Sequence, residues 1–176
     1  MASELPSIRR IVTAIDASGK SYIAEDGPPA HVRRIPARPG FVVRNIWATA
    51  GSPAPLADSD RSTEIRGVMP PPGGTLFKVI DIPPDVEGQA SAVPPVAHEP
   101  GLRHDSKARH PGMHETDTID YAIVLSGEIH ALLDQGEVLM KAGDVMIHRG
   151  ANHAWANRST GICRILFVLV DAQPKR

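Results

Sequence analysis

The segment HPGMHETDTIDYAIVLSGE, residues 110–128, joins a polar stretch that contains two histidines to an apolar run of strand length. The polar half carries His110, His114 and Glu115, and Asp120 stands where the apolar half begins. Because buried polar groups cost free energy unless something satisfies them, these side chains indicate a metal, a hydrogen-bond network or an exposed loop.

A strand through the apolar half would place Asp120 on an apolar face. Alternate side chains of a strand point the same way, so Asp120 shares its face with Ala122 and Val124. His153 and Trp155 share a face in the same manner further along the chain. A carboxylate and an imidazole on strand faces of this kind favour a buried polar site.

The sequence around this segment predicts short strands and turns. After residue 112, segments of strand length follow one another at even spacing with Gly-containing turns between them, which is typical of a sandwich or barrel. LLDQGEVLM, residues 132–140, predicts a tight hairpin. We find no sustained helical period, and the 17 prolines favour turns. The prediction is an all-β fold.

The N-terminal part predicts further strands between proline turns. RRIVTAID and SYIAED flank ASGK and suggest a hairpin, and HVRRIP, FVVRNIWAT and TLFKVIDI follow as strands. We expect residues 1–90 to extend or flank a barrel formed by residues 91–172, within one structural domain. The irregular stretch at residues 87–112 predicts a functional or mobile loop.

Composition limits the possible functions. The 176 residues suit one domain, 41% of them are hydrophobic, and the net charge of -1 gives no reason to expect a nucleic-acid partner. No apolar run approaches the roughly 20 residues that cross a bilayer, so we expect a cytoplasmic protein without a membrane partner. Cys163, the single cysteine, lies in an apolar run and is expected to be a buried thiol.

Two motifs at the right separation give the segment from His110 to Val170 a resemblance to the cupins. Asp120 and Gly127 resemble the E-x6-G end of the first cupin motif, with Asp in place of Glu. GDVMIHRGANHAWAN, residues 143–157, contains the G-x2-H-x3-N half of the second motif intact. The resemblance implies a double-stranded β-helix, or jelly-roll barrel, with an N-terminal β-strand extension.

The resemblance also implies a bound metal. The first motif departs from the family, because its register places Met113 and Glu115 where two histidines are usual. A one-residue bulge would bring His114 to the metal instead. The implied ligands are His114, Asp120 and His153, and a wider rearrangement would add His110. The stretch also resembles a cupin subgroup that reads Met-His-Arg-Thr ahead of Asp-Tyr.

The chemistry of this ligand set leads to the expected function. Imidazole and carboxylate suit a divalent transition metal, Zn, Fe, Mn or Ni. We expect a metal-dependent enzyme with lyase, isomerase, decarboxylase or hydrolase activity on a small oxygenated molecule, for instance an acid, hydroxyketone or enol. Glu115 or His148 would move the proton. An Fe(II) dioxygenase and a non-catalytic binding protein remain the alternatives. Exposed edge strands in the N-terminal part predict a homodimer.

Overall fold

The computed structural model describes residues 5–86, 101–104 and 107–174, and this part of the chain is all-β. It confirms the fold class that the sequence predicts. Most of the irregular stretch, residues 87–100 together with 105 and 106, lies outside the described residues. Thirteen strands lie within the described residues: β1 Arg10–Ile15, β2 Ser21–Gly27, β3 His31–Arg34, β4 Val42–Thr49, β5 Thr75–Ile82, β6 Leu102–His104, β7 His114–Thr116, β8 Thr118–Ser126, β9 Glu128–Leu133, β10 Glu137–Lys141, β11 Val145–Arg149, β12 His153–Ala156 and β13 Cys163–Asp171.

Two sheets form a jelly-roll barrel. One sheet has six strands in the order β11-β8-β13-β5-β4-β3, and the other has five in the order β10-β9-β12-β7-β6. The pairings within both sheets are antiparallel. Their facing sides enclose one core cluster, which includes Leu76, Val124, Ile129, Ile165 and Phe167. Strands from both ends of the chain therefore share one core.

The N-terminal strands enter the barrel in two ways. β3, β4 and β5 extend the six-stranded sheet beyond β13, through the β13–β5 pairing from Cys163 to Val170. β1 and β2 form a separate antiparallel hairpin, as their sequences predict. Ile11, Ile15 and Ile23 on this hairpin are exposed.

A buried group of charged side chains ties the six-stranded sheet together. Asp81 on β5 accepts two hydrogen bonds from the Arg164 guanidinium of β13, at 2.6 and 2.8 Å. The Arg44 guanidinium of β4 lies 2.9 Å from the same carboxylate. Arg164 also donates to the carbonyl of Pro6 at 2.7 Å. These contacts, which we call the Asp81 cluster, link three neighbouring strands to the N-terminal segment.

Glycine and asparagine in the two motifs set turns of the barrel. Gly127 has a φ of 75°, and a Cβ there would lie 2.8 Å from the carbonyl oxygen of Ile162, so no other residue fits without a shift. Asn157 is fully buried and donates to the carbonyls of Ile82 and Gly161, each at 2.8 Å. The asparagine at the end of the second motif therefore has a structural role.

Cys163 is buried, and its desolvation raises the pKa of the thiol to about 12, which leaves no reactive thiolate near neutral pH. The described part of the chain contains no helix that could span a membrane.

Candidate metal centre and cavity

Two cross-strand pairs, one from each sheet, meet inside the barrel. In the six-stranded sheet, Asp120 of β8 stands opposite His148 of β11. In the five-stranded sheet, His114 of β7 stands opposite His153 of β12. Directly opposed side chains on one face of a sheet lie close together, so the strand pairing alone brings three imidazoles and one carboxylate to one place.

The distances define a group of three potential ligands. Asp120, His148 and His153 each offer one ligand atom, and these atoms lie within 4.8 Å of one another. All three residues are buried, with 3–4% of their surface exposed. The ring centroids of His148 and His153 are 3.8 Å apart, and those of His114 and His153 are 4.4 Å apart. His114 therefore borders the group of three without being part of it.

Backbone carbonyls fix which ring nitrogen of each histidine carries a hydrogen. A carbonyl oxygen only accepts, so Nε2 of His148 donates to Ala151 at 2.8 Å and Nδ1 of His153 donates to the same oxygen at 3.1 Å. Nδ1 of His114 donates to the carbonyl of Gly112 at 2.8 Å. In neutral imidazole the other nitrogen carries a lone pair. Each ring thus keeps one nitrogen available for a metal or a proton.

Burial keeps the imidazoles of His114 and His153 neutral. It lowers the pKa of His153 well below its usual 6.5, and the neighbouring His114 and His148 lower that pKa further. Burial is also the main cause that lowers the pKa of His114, against the hydrogen bond to Gly112. Metal ligation and proton acceptance both need the neutral ring, so His114 and His153 are ready for either at neutral pH.

These depressed pKa values predict that acid destabilises the metal-free protein. Below about pH 6.5 the histidines of the unfolded chain bind protons that the folded chain excludes, so stability present above that pH is lost as the pH falls. Each such proton changes the free energy of unfolding by up to about 1.4 kcal/mol per pH unit. We expect the free energy of unfolding, measured with urea between about pH 7.5 and 5.5, to fall with such a slope as the pH falls. The slope should be smaller in His153→Gln. An unchanged slope in the variant would contradict the assignment.

Two buried polar atoms at the centre lack a hydrogen-bond partner within the described residues. They are Oδ1 of Asp120 and Nδ1 of His148. Unpartnered buried atoms are costly, and here both belong to good metal ligands. Nδ1 of His148 lies 3.4 Å from Oδ2 of Asp120. A divalent cation between these atoms would satisfy both, so the residues fit a metal.

The other residues that the sequence singles out lie elsewhere. Met113 is fully buried in a small cluster with Leu132 and two alanines. His114 faces the cavity instead. The structure therefore favours His114 over Met113 at the site. Glu115 points to the opposite side of β7 and accepts a hydrogen bond from Arg103 at 3.1 Å. His110 is outside the group of three, and its Nδ1 accepts a hydrogen bond from the amide of Gly112. The structure does not bring Glu115 or His110 to the centre.

A cavity of about 330 Å³ lies in front of the group and is lined by both Asp120 and His153. This volume suits a small organic molecule. The walls are mainly apolar, and Trp155 packs edge-on between His153 and Phe167, at 5.9 and 5.3 Å between ring centroids. The group of three thus has an open side toward a cavity, which a closed structural site would lack.

Among the described residues, four cationic side chains also line the cavity, and no sequence motif pointed to them. They are Arg33, Arg38, Arg66 and Lys78. All come from the N-terminal part of the chain, far from the motifs in sequence. The sheet order β13-β5-β4-β3 brings Lys78 and Arg33 here, whereas Arg38 and Arg66 lie in the loops after β3 and β4. The alternation of side chains along HVRR could have shown that Arg33 and Arg34 face opposite ways, but not which one faces inward.

Comparisons with known proteins agree with the fold and the motifs. The Cupin_2 family model, a cupin domain, matches residues 97–169. A phomopsin biosynthesis cluster protein, protein C', of Diaporthe leptostromiformis is 35% identical over 182 residues, covering 97% of this chain and 82% of its own. Oryzines biosynthesis cluster protein J of Aspergillus oryzae is 31% identical, covering 97% and 87%. The cupin-domain-containing oxidoreductase srdD of Neurospora crassa is 26% identical, covering 96% and 79%.

Proposed function

The chain belongs to the cupin family, and on that premise we propose that it is a metal-dependent enzyme acting on a small organic molecule. The observation that carries the proposal is the group of Asp120, His148 and His153, whose ligand atoms lie within 4.8 Å of one another beside a cavity. The relatives in biosynthesis clusters and the relative named an oxidoreductase support an enzyme over a purely structural protein.

These three residues would hold a divalent transition metal. One carboxylate and two neutral imidazoles suit Zn, Fe, Mn or Ni. Three protein ligands leave coordination positions for substrate and water. When bound, such an ion carries a net positive charge beside Asp120 and stabilises negative charge that develops on a substrate oxygen.

His114 is our candidate for proton transfer. Its ring lines the cavity and is neutral, and Nδ1 donates to the Gly112 carbonyl, so Nε2 is the nitrogen that would accept a proton from the substrate. The Gly112 carbonyl also orients the ring and would stabilise the imidazolium that forms. The arrangement supports proton abstraction or transfer next to a polarised oxygen, as lyases, isomerases and decarboxylases need.

Oxidation is the second candidate chemistry. The name of the Neurospora crassa relative favours it, and a set of two histidines and one carboxylate with open positions is the ligand pattern of non-haem Fe(II) oxygenases. The same three residues serve both candidates, and the identity of the metal separates them. Iron together with O₂-dependent turnover would favour oxidation, whereas zinc would favour the non-redox reactions.

The test combines metal content with turnover. We expect the purified full-length chain to carry about one divalent transition metal, measured by elemental analysis. Its turnover of one member of a panel of small carboxylic acids, hydroxyketones and phenols should disappear after chelation and return when metal is restored. If the chain binds a panel member tightly, with or without metal, but never converts it, the proposed function changes from an enzyme to a ligand-binding cupin.

A further inference from the structure

The cavity has a basic end that the proposed chemistry does not use. Arg33 and Arg66 line its mouth as exposed residues, and Lys78 lies buried in its wall, where its ammonium donates to the carbonyl of Val68 at 3.1 Å. Among the described residues neither arginine forms an ion pair: Arg33 reaches the carbonyl of Arg66, and Arg66 donates to the carbonyl of Thr63. Arg38, in contrast, is held by Asp85 at 2.7 Å. Two guanidinium groups therefore face the cavity with their charge uncompensated by any described carboxylate.

The positive charges act together on one neighbouring side chain. The pKa of His31 is lowered first by burial and then by the charges of Arg66, Arg33 and Lys78. All three cations thus lie within electrostatic reach of a single imidazole. The only acid among the described residues that line the cavity is Asp120, which belongs to the metal centre. The field at this end favours an anion.

Strand register separates the basic end from the metal centre. Asp120 stands opposite Leu169 on β13, and Phe167, two residues back on the same face, stands opposite Lys78 on β5. Neighbouring strands are about 4.8 Å apart, so β5 is about 10 Å from β8. β3, which carries Arg33, lies two strands further on. A molecule would have to be elongated to contact both ends.

The wall between the two ends is apolar. Ile80, Trp155 and Phe167 line it. Phe167 belongs to the buried core cluster, and Ile80 and Trp155 are partly buried and pack against that cluster. An apolar body would therefore find complementary surface between an anionic group at one end and a reacting oxygen at the other. Burial of a single negative charge costs less than burial of a dianion, which favours a carboxylate over a phosphate.

We propose that the substrate is an amphipathic monocarboxylic acid whose carboxylate binds Arg33 and Arg66. Its apolar body lies along Trp155 and Phe167, and its reacting end lies at the metal centre. This inference rests on the proposed function, because it places the reacting end of the substrate at the proposed metal centre. Recognition of the carboxylate itself needs only side chains of this chain. A guanidinium fork matches a carboxylate with two parallel hydrogen bonds.

The test measures binding to the metal-free full-length chain by calorimetry. The probes are hydrocinnamate, its uncharged amide hydrocinnamide, and phenethylphosphonate, which share an apolar body and differ in charge. We expect hydrocinnamate to bind at least about tenfold more tightly than the amide, since hydrogen bonds to charged groups are the stronger ones. The preference should fall to less than about twofold in the double variant Arg33→Gln, Arg66→Gln, and also as salt is raised.

Arg34→Gln is the matched control. Arg34 is the next residue on β3, faces away from the cavity lining and is also exposed, so this variant removes the same charge from the same strand and should keep the preference. Equal affinity for acid and amide in the wild type would overturn the inference, as would a preference that survives in the double variant. Tighter binding of the phosphonate would overturn the carboxylate class.

Failure of this inference can be told apart from failure of the proposed function. The binding comparison is made without metal, whereas the proposed function is tested by metal content and turnover. A chain that binds one metal but shows no preference for hydrocinnamate contradicts only the substrate class. If the wild type prefers hydrocinnamate and the double variant does not, anion recognition at the basic end is supported even if the chain binds no metal.

Discussion

His153→Gln should lower the affinity of the chain for its metal by at least about a hundredfold. Loss of a group that only orients a metal ligand already costs roughly 10–100-fold in affinity, so loss of a ligand should cost at least the upper end of that range. Asp120→Asn and His148→Gln should have effects of the same order, because all three ligand atoms lie within 4.8 Å of one another. Competition with a chromophoric chelator measures the affinity of each variant.

His114→Gln and His110→Gln are the matched controls for these variants. Both replace a histidine near the site with the same residue. His114 borders the group without joining it, and His110 is engaged with the amide of Gly112. Both variants should stay within about tenfold of the wild-type affinity. A loss in His114→Gln as large as that in His153→Gln would make His114 a fourth ligand and remove it as the candidate for proton transfer.

The same set of variants decides the place of His148. The sequence favours it as an acid or base, whereas its position opposite Asp120 favours a ligand. Full metal content in His148→Gln together with loss of turnover would restore the role that the sequence suggests. Glu115→Gln should leave the affinity for metal unchanged, because its side chain lies on the other side of β7 with Arg103.

The fold could be predicted from the sequence because its signals are local. Alternation of apolar residues, glycines at turns and prolines between strands each act over a few residues, and they placed the hairpins β1–β2 and β9–β10 as well as the strands after residue 112. Gly127 shows why such a signal is reliable. Its φ of 75° and the nearby Ile162 carbonyl leave no room for a side chain, so the turn and the residue specify each other.

The site could be predicted only in part, because it depends on contacts between distant strands. Alternation identified an inward face for Asp120 and for His153. It could not show that β11 pairs with β8 in the register that sets His148 opposite Asp120. Nor could it show that Arg33, from a strand near the N-terminus, lines the same cavity. Strand pairing at long range has no local signature, so a single sequence leaves it open.

Asp81→Asn should destabilise the protein by about 3–5 kcal/mol. Asp81 is 3% exposed and is the carboxylate of the Asp81 cluster, in which Arg44 and Arg164 both contact it. Removing one partner of a buried ion pair leaves the other charge buried without compensation, which is the costly case. Here the variant would leave two guanidinium groups in that condition. Urea unfolding, monitored by tryptophan fluorescence, measures the free energy of unfolding.

Glu137→Gln is the control that separates burial from ion pairing. Glu137 also accepts two hydrogen bonds from one guanidinium, that of Arg158, but the two side chains are 34% and 49% exposed, respectively. Exposed pairs of this kind contribute less than about 1 kcal/mol, so this variant should unfold almost as the wild type does. Equal effects of Asp81→Asn and Glu137→Gln would contradict the role of burial.

The Asp81 cluster also bears on the cavity, because it joins β5, which carries Lys78, and β4, which pairs with the Arg33 strand β3, to β13, the neighbour of the Asp120 strand β8. Arg44, Asp81 and Arg164 connect β4, β5 and β13, and Lys78 lies on β5 three residues before Asp81. If the cluster fixes these strands, Asp81→Asn should weaken the preference for hydrocinnamate over its amide in the folded protein, while the affinity for metal changes little. If the preference is unchanged at a temperature where the variant is folded, the Asp81 cluster contributes to stability but not to anion recognition.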